Sequence, residues 1–260
     1  MYETVLYDRA GAVARITLNR PNKLNALNDL MTGEAQDALR QAAQDTHVRV
    51  VVLTGAGRGF SVGQDLEQVA NRPDDWSVAE HLRHGYNRWV TLMREMEKPV
   101  VTAINGVAAG AGMSIALAGD IRLASDRASF VPAFVKIGLV PDSGFTWMLP
   151  HLIGPTRAFQ IMVTGDTVTA HQALEWGLIH QVIPSEQLEA LVSEWAERLA
   201  HAPTRAIGLT KRAFNTTMDK TLAEMMEYEA SLQEIAARTE DYREGVAAFL
   251  EKRPPVFRGK

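Results

Sequence analysis

The sequence predicts an α/β protein on three observations. Apolar, β-branched runs recur at Val13–Leu18, Val48–Leu53 and Val100–Ile104, with shorter ones at Ile121–Ala124 and Ile179–Ile183. Segments of helix length separate them, and glycine-rich turns follow two of the runs. At 260 residues the chain can hold one sizeable core plus an appendage, and no internal repeat or low-complexity linker divides it.

Taken in order, Thr4–Tyr7 reads as a first strand and Val13–Leu18 as a second. Asp29–Gln44 fits a helix. Val48–Leu53 then runs into Thr54-Gly-Ala-Gly-Arg-Gly-Phe-Ser-Val-Gly-Gln-Asp-Leu66. The stretch Glu67–Gly85 is polar at first and leads through Trp76, His81 and His84 to Tyr86; it suits a flexible pocket wall or a surface excursion. A helix over Ala79–Glu97 precedes the buried strand Val100–Ile104, whose glycine turn at 105–112 opens directly into a small-residue helix. Further helices fit Thr156–Val163 and Ser185–His201, the latter placing Leu188, Leu191, Val192, Trp195 and Leu199 on one core-facing side. Thr169 with Gln172, and Thr221 with Glu224, have capping-box spacing. From about Ala202 the chain is helical and charged on one face up to Pro254-Pro255, so it is expected to pack on another subunit or fold back over the site. The expected division is a core over residues 1–200 and a helical region over 201–260.

Composition narrows the partners. The balance of 27 basic and 31 acidic residues leaves a net charge of −4 without a basic block, which disfavours nucleic acid and anionic membrane. With no cysteine, disulfides, thiolate metal sites and a cysteine nucleophile are excluded. No secretory or membrane-spanning apolar stretch is visible, so a cytoplasmic protein is expected.

The two glycine turns invite a dinucleotide reading, which fails on spacing. After Gly55 and Gly57 the third glycine position is Phe60; after Gly110 and Gly112 it is Ile115. Together the turns could instead aim two backbone N–H groups at one oxygen, the construction of an oxyanion hole. A third motif, Phe134-Val-Lys-Ile-Gly-Leu-Val-Pro-Asp-Ser-Gly144, sets Asp142 between an apolar run and a glycine turn. There it could be a partly desolvated general base or the N-cap of the next helix.

Four segments in order, Asn19–Ala26, Phe60–Leu66, Asn105–Gly112 and Gly138–Asp142, resemble the enoyl-CoA hydratase/isomerase (crotonase) superfamily, and the resemblance continues to Arg253. It implies a spiral of ββα turns, a C-terminal helical region that trimerises and covers coenzyme A, commonly as a dimer of trimers, and acyl-CoA thioester substrates. It also implies no metal and no separate cofactor, since coenzyme A is carried by the substrate. Carried over by motif, the oxyanion donors are the backbone N–H groups of Gln64 and Ala111. Lys23, Leu24, Ala26, Val62, Asp65, Leu66 and Gly110 match the coenzyme A-holding segments, and Phe249 and Lys252 match a tail that reaches a neighbouring subunit's coenzyme A.

Where hydratases of this family carry two glutamates, this chain has Ser114 and Phe134, neither of which can activate water as a carboxylate. Asp142 stands where isomerases of the family carry their working acid, which implies one-base isomerisation. Phe145 replaces an expected glycine. Alternatives are an enoyl-CoA isomerase or atypical hydratase for aliphatic chains, a dehalogenase for which neither His81 nor His84 is placed by sequence, and a non-catalytic acyl-CoA or RNA binder.

Overall fold

The computed structural model describes residues 2–260. An antiparallel hairpin, β1 (Val5–Ala10) and β2 (Val13–Leu18), leads to α1 (Asp29–Gln44), β3 (Val50–Gly55) and the short β4 (Gly59–Ser61). Helices α2 (Leu66–Ala70), α3 (Val78–His84) and α4 (Tyr86–Glu95) precede β5 (Val100–Ile104), β6 (Val107–Ala109) and α5 (Ala111–Leu117). Next come β7 (Ile121–Ser125), β8 (Ser129–Val131), α6 (Phe145–Ile153), α7 (Pro155–Thr164), β9 (Val168–Thr169), α8 (Ala170–Glu175) and β10 (Gln181–Ile183). The chain ends in α9 (Leu188–Ala200), α10 (Thr204–Thr216), α11 (Leu222–Ala236) and α12 (Glu240–Glu251).

Three times in succession a long strand enters one sheet and the short strand after it enters another: β3 then β4, β5 then β6, β7 then β8. The first sheet has the order β1-β2-β3-β5-β7-β10, parallel from β2 onward; the second runs β4-β6-β8-β9 and is antiparallel only between β8 and β9. This is the ββα spiral. Strands β3 and β5 read as near-continuous apolar runs because both faces are covered. Val51 and Leu53 face the main core with Ile16, Leu39 and Trp89, whereas Val50, Val52, Val101 and Leu123 meet Leu188, Val192, Ala196 and Ala200 of α9. Leu191, Trp195 and Leu199 pack partly buried on the same cluster, as their spacing predicts.

Two expectations need correction. The helix expected over Ala79–Glu97 is two helices, broken at Gly85, where ψ is −104° and an added Cβ would lie 2.6 Å from the His81 carbonyl oxygen. The helix expected from Ser185 begins as a 3-10 turn over Ser185–Gln187 and becomes α-helical at Leu188. Both capping boxes form.

The region after residue 200 is not uniform. Helix α10 is fastened to the core: Arg49 donates to Thr204 Oγ1 (2.8 Å), Arg205 pairs with Glu97, and Lys211 is buried against Asp120. Helices α11 and α12 instead leave Leu222, Met226, Phe249 and Leu250 exposed. Beyond α12 the chain folds back, with the Asp241 carboxylate accepting the N–H groups of Arg258 (2.6 Å) and Gly259 (2.8 Å), and Arg49 Nη1 donating to the Phe257 carbonyl (2.8 Å). Among the described residues no helix is long and apolar enough to cross a membrane.

Candidate active site

The first glycine turn is held from below by Asn25. This buried side chain donates to the carbonyls of Ala56 and Gly59 (both 2.9 Å) and accepts the Arg20 N–H (2.9 Å). Ser61 Oγ donates to the Asn25 carbonyl (2.8 Å) and accepts the Gly63 N–H (3.2 Å). Leu27 then forms a parallel bridge with the turn: its N–H donates to the Gly63 carbonyl (2.8 Å), and its carbonyl accepts the Asp65 N–H (3.0 Å). Such a bridge engages the residues on either side of Gln64. The Gln64 N–H is left without a hydrogen-bond partner among the described residues.

The second turn ends at Gly110, the N-cap of α5, with φ 49°. Ala111 is therefore the first helical residue, and its N–H is one of those no helix can satisfy internally. The two turns touch backbone to backbone. A Cβ on Gly63 would lie 2.7 Å from the Ala109 oxygen and 3.2 Å from the Ala111 nitrogen, and one on Gly112 would lie 2.5 Å from the Ser61 oxygen. Glycine at 63 and 112 is thus a requirement of this approach, which sets the backbone just before Gln64 against that of Ala111.

Asp142 is tied to the same helix. One turn along α5 from Gly110, the buried Ser114 hydroxyl donates to the Asp142 carbonyl (3.1 Å). The carboxylate accepts the Ser143 hydroxyl (2.7 Å). Burial pushes the Asp142 carboxyl above the usual carboxylate range, against the lowering effect of Ser143. The N-cap of α6 is Gly144, and no side chain caps that helix, so the capping alternative for Asp142 is not realised. Tyr86, fully buried, donates to the Leu27 carbonyl (3.3 Å). Its phenol is pushed up by burial first and then by Asp142, ahead of Asp29 and Asp65.

The two positions that depart from the family's pattern pack on each other. Phe134, in a hydratase glutamate position, and Phe145, where glycine was expected, have ring centroids 5.6 Å apart and are both buried. The Phe145 N–H also donates to the Asp142 carbonyl (3.0 Å), which joins this apolar pair to the Asp142 segment.

Lys23, Leu24, Ala26, Val62, Asp65 and Leu66 gather along one rim of the turn. The Val62 N–H donates to the Leu24 carbonyl (3.1 Å), Lys23 pairs with Glu67 (2.7 Å), and Arg20 pairs with Asp65 (2.9 Å). Burial raises the Asp65 carboxyl, but the Arg20 hydrogen bond and charge outweigh it and hold it below the ordinary value. Phe249 and Lys252 are not at this rim. Their segment is fastened through the returning tail to Arg49, just before the start of β3, whereas the turn follows the end of that strand, about 20 Å away for six residues.

His81 is the residue that sequence reasoning did not place. It is half-buried between the rings of Trp76 and Tyr86 (5.1 Å to each), with Nδ1 3.6 Å from Asp29 and Nε2 3.3 Å from the Gln64 side-chain nitrogen. Burial holds it neutral-leaning, opposed by Asp29 and assisted by Arg72. His84 is exposed and paired with Glu80 (3.1 Å). Trp89 belongs to the core.

This arrangement has relatives. The enoyl-CoA hydratase/isomerase profile matches residues 8–260. The chain belongs to the enoyl-CoA hydratase/isomerase family. It is similar to 1,2-epoxyphenylacetyl-CoA isomerase of Escherichia coli, 43% identical with all of both chains covered. It also resembles trans-2-decenoyl-[acyl-carrier-protein] isomerase of Streptococcus mutans, 34% identical over 100% of this chain and 99% of the relative. The crystal structure of an enoyl-CoA hydratase from Bacillus anthracis superposes with a TM-score of 0.92 at 33% identity, covering 99% of this chain and 100% of that one. These relatives are isomerases and hydratases of thioester substrates, and they support an enzyme of the acyl-CoA isomerase type.

Proposed function

We propose that this family member isomerises an acyl-CoA thioester with a single aspartate, and that the substrate is 2-(1,2-epoxy-1,2-dihydrophenyl)acetyl-CoA, converted to the oxepin thioester in phenylacetate breakdown. Asp142 takes a proton from the carbon beside the thioester carbonyl. The N–H groups of Gln64 and Ala111 receive the negative charge that collects on the carbonyl oxygen, and the proton returns to the rearranged skeleton. No water is consumed. What supports this reading is a partly buried Asp142 tied through Ser114 to the helix that Ala111 begins, the unengaged N–H of Gln64 in the turn packed against that helix start, and Ser114 and Phe134 where a hydratase needs carboxylates. The full-length 43% identity to an epoxyphenylacetyl-CoA isomerase supports the substrate.

A shift of the double bond in an alkenoyl thioester is the second reading, since it uses the same proton transfer and a relative of that activity covers the whole chain. Mass analysis separates hydration from isomerisation, and chromatographic rates on the two thioesters separate the two isomerisations. The epoxide thioester should give a product of unchanged mass, faster than any alkenoyl isomerisation, while crotonyl-CoA is hydrated at least about a hundredfold more slowly. Fast addition of water would overturn the reading.

Assembly belongs to the same proposal. Phe249 is 82% exposed and Leu222 77%, an apolar helical surface that a trimer or hexamer would cover, bringing Phe249 and Lys252 to coenzyme A on the neighbouring subunit. Light scattering should report a trimer or hexamer; a monomer would remove this role from the tail.

A further inference from the structure

A cavity lies at the opposite ends of the helices that start at the site. Helix α5 runs from Ala111 at the turns to Leu117 in the wall of this cavity, about 10 Å at 1.5 Å per residue. Helices α4 and α6 run the same way, from Tyr86 and Phe145 to Arg94 and Leu152. The cavity is about 350 Å³, within the range of small-molecule sites, and opens beside Trp147, Phe214 and Met218. Its floor holds three cations, Arg94, Arg122 and Lys211, against one carboxylate, Asp120.

The helix ends account for part of this charge. Lys211 Nζ donates to the carbonyls of Met93 (2.6 Å) and Lys98 (3.3 Å) and to Asp120 (2.7 Å), which uses all its donors. Arg94 Nη2 bonds Asn215, and its Nη1 stands 3.8 Å from Asp120. Arg122 donates from Nε to the Leu178 carbonyl (2.7 Å) and from Nη1 to the Gly119 carbonyl (2.8 Å); its Nη2 has no protein partner among the described residues. His180 accepts the Arg122 backbone N–H on Nδ1 (3.0 Å), so its ring proton sits on Nε2, again without a protein partner among the described residues. Arg122 and Lys211 are only 7% and 8% exposed. Burial depresses all three cations, and in Arg122, pushed down to about 10, the repulsion of Arg94 adds to it while Asp120 opposes. The floor is positive and under-neutralised, with spare donors on Arg122 and His180.

We infer that this cavity binds a free carboxylic acid, as its anion, with a short apolar tail. The carboxylate takes the unused donors of Arg122 and His180. The tail lies along Leu117, Met148, Ile207 and Phe214. One negative charge leaves the floor close to balance, because the remaining surplus faces the carbonyl ends of α4 and α5. A phosphate dianion would need more donors than are free and would lie beside Asp120. Both a straight-chain acid and an arylacetic acid have this chemistry.

Calorimetric titration of the full-length protein, with the thioester site saturated by coenzyme A, tests the inference using octanoate, phenylacetate and octan-1-ol. Expected are one carboxylate per chain, an affinity unchanged by coenzyme A, and at least about tenfold weaker binding of the alcohol. The tighter of the two acids identifies the tail. Arg122→Gln should weaken the acid at least about tenfold. Since Arg122 also braces two carbonyls, Met218→Glu at the exposed mouth provides a second variant with the same expected loss and no buried change. No acid binding, as when a second copy of the chain closes the mouth, overturns the inference. So does equal binding of alcohol and acid, displacement by coenzyme A, or unchanged affinity in both variants.

Discussion

The same helices end in two chemically opposite regions. Near their starts, around Gly110 and Gly144, the groups proposed to act are the backbone N–H donors of Gln64 and Ala111, and the side chain proposed to react is Asp142. At their far ends the free backbone groups are carbonyls, and side chains from α10 and β7 satisfy them: Lys211 on Met93, Asn215 on Arg94, Arg122 on Gly119. The difference follows from helix polarity, since unpaired N–H groups collect at one end and unpaired carbonyls at the other. It teaches where mutations matter. A site made of backbone tolerates changes of side chain and fails when a side chain is added; a floor made of side chains behaves in the reverse way.

The largest effect expected is at the side chain proposed to react. Asp142→Asn should lower isomerase turnover by roughly 10²–10⁴, measured under saturating thioester. The sign of its pH dependence is set by burial. A base must be ionised to accept a proton, so turnover of the parent should fall on acidification through a pKa above the ordinary carboxylate value. Stability runs the other way. A carboxyl whose folded pKa is raised favours the fold at low pH, and that contribution is lost as pH rises through the folded pKa, so Asp142→Asn should be no less stable than the parent at pH 7 by denaturant titration. A marked destabilisation would mean the carboxylate is holding structure.

Next in size is Gly63→Ala. Its Cβ would meet the Ala109 oxygen at 2.7 Å from a backbone with φ 83°, so the two turns must separate and the pair of donors is lost. Turnover should drop by roughly 10²–10³, the scale of removing one oxyanion donor. Near-parental turnover would show that the turns do not act together. The smallest effect belongs to Gln64→Ala, which keeps the N–H and removes only a side chain that contacts His81. Turnover should change by less than about threefold, far below a lost donor. A large loss would transfer the role to the amide and its histidine.

Much of this was legible in the sequence, and the misses have physical causes. Val13–Leu18, Val100–Ile104 and Asp29–Gln44 form as their patterns predict, because buried parallel strands and an amphipathic helix both leave long signals. The second sheet left none, since its strands have two or three residues and are rich in small side chains. The break at Gly85 was hidden because apolar periodicity continues across it; the glycine is needed for its close approach to His81. At the site, the free N–H groups and Asp142 are traceable to glycine spacing and motif. The placement of His81 is not, because it depends on how α3 turns back over Asp29 and Gln64.

The central claim is that Asp142 moves a proton at the carbon beside the thioester carbonyl while two backbone N–H groups hold the charge. Deuterium exchange at that carbon of phenylacetyl-CoA, followed by NMR in heavy water, isolates this step because no epoxide is present to rearrange. The parent should catalyse exchange, Gln64→Ala should nearly match it, and Asp142→Asn should be at least about a hundredfold slower. Exchange at the parental rate in Asp142→Asn would contradict the account.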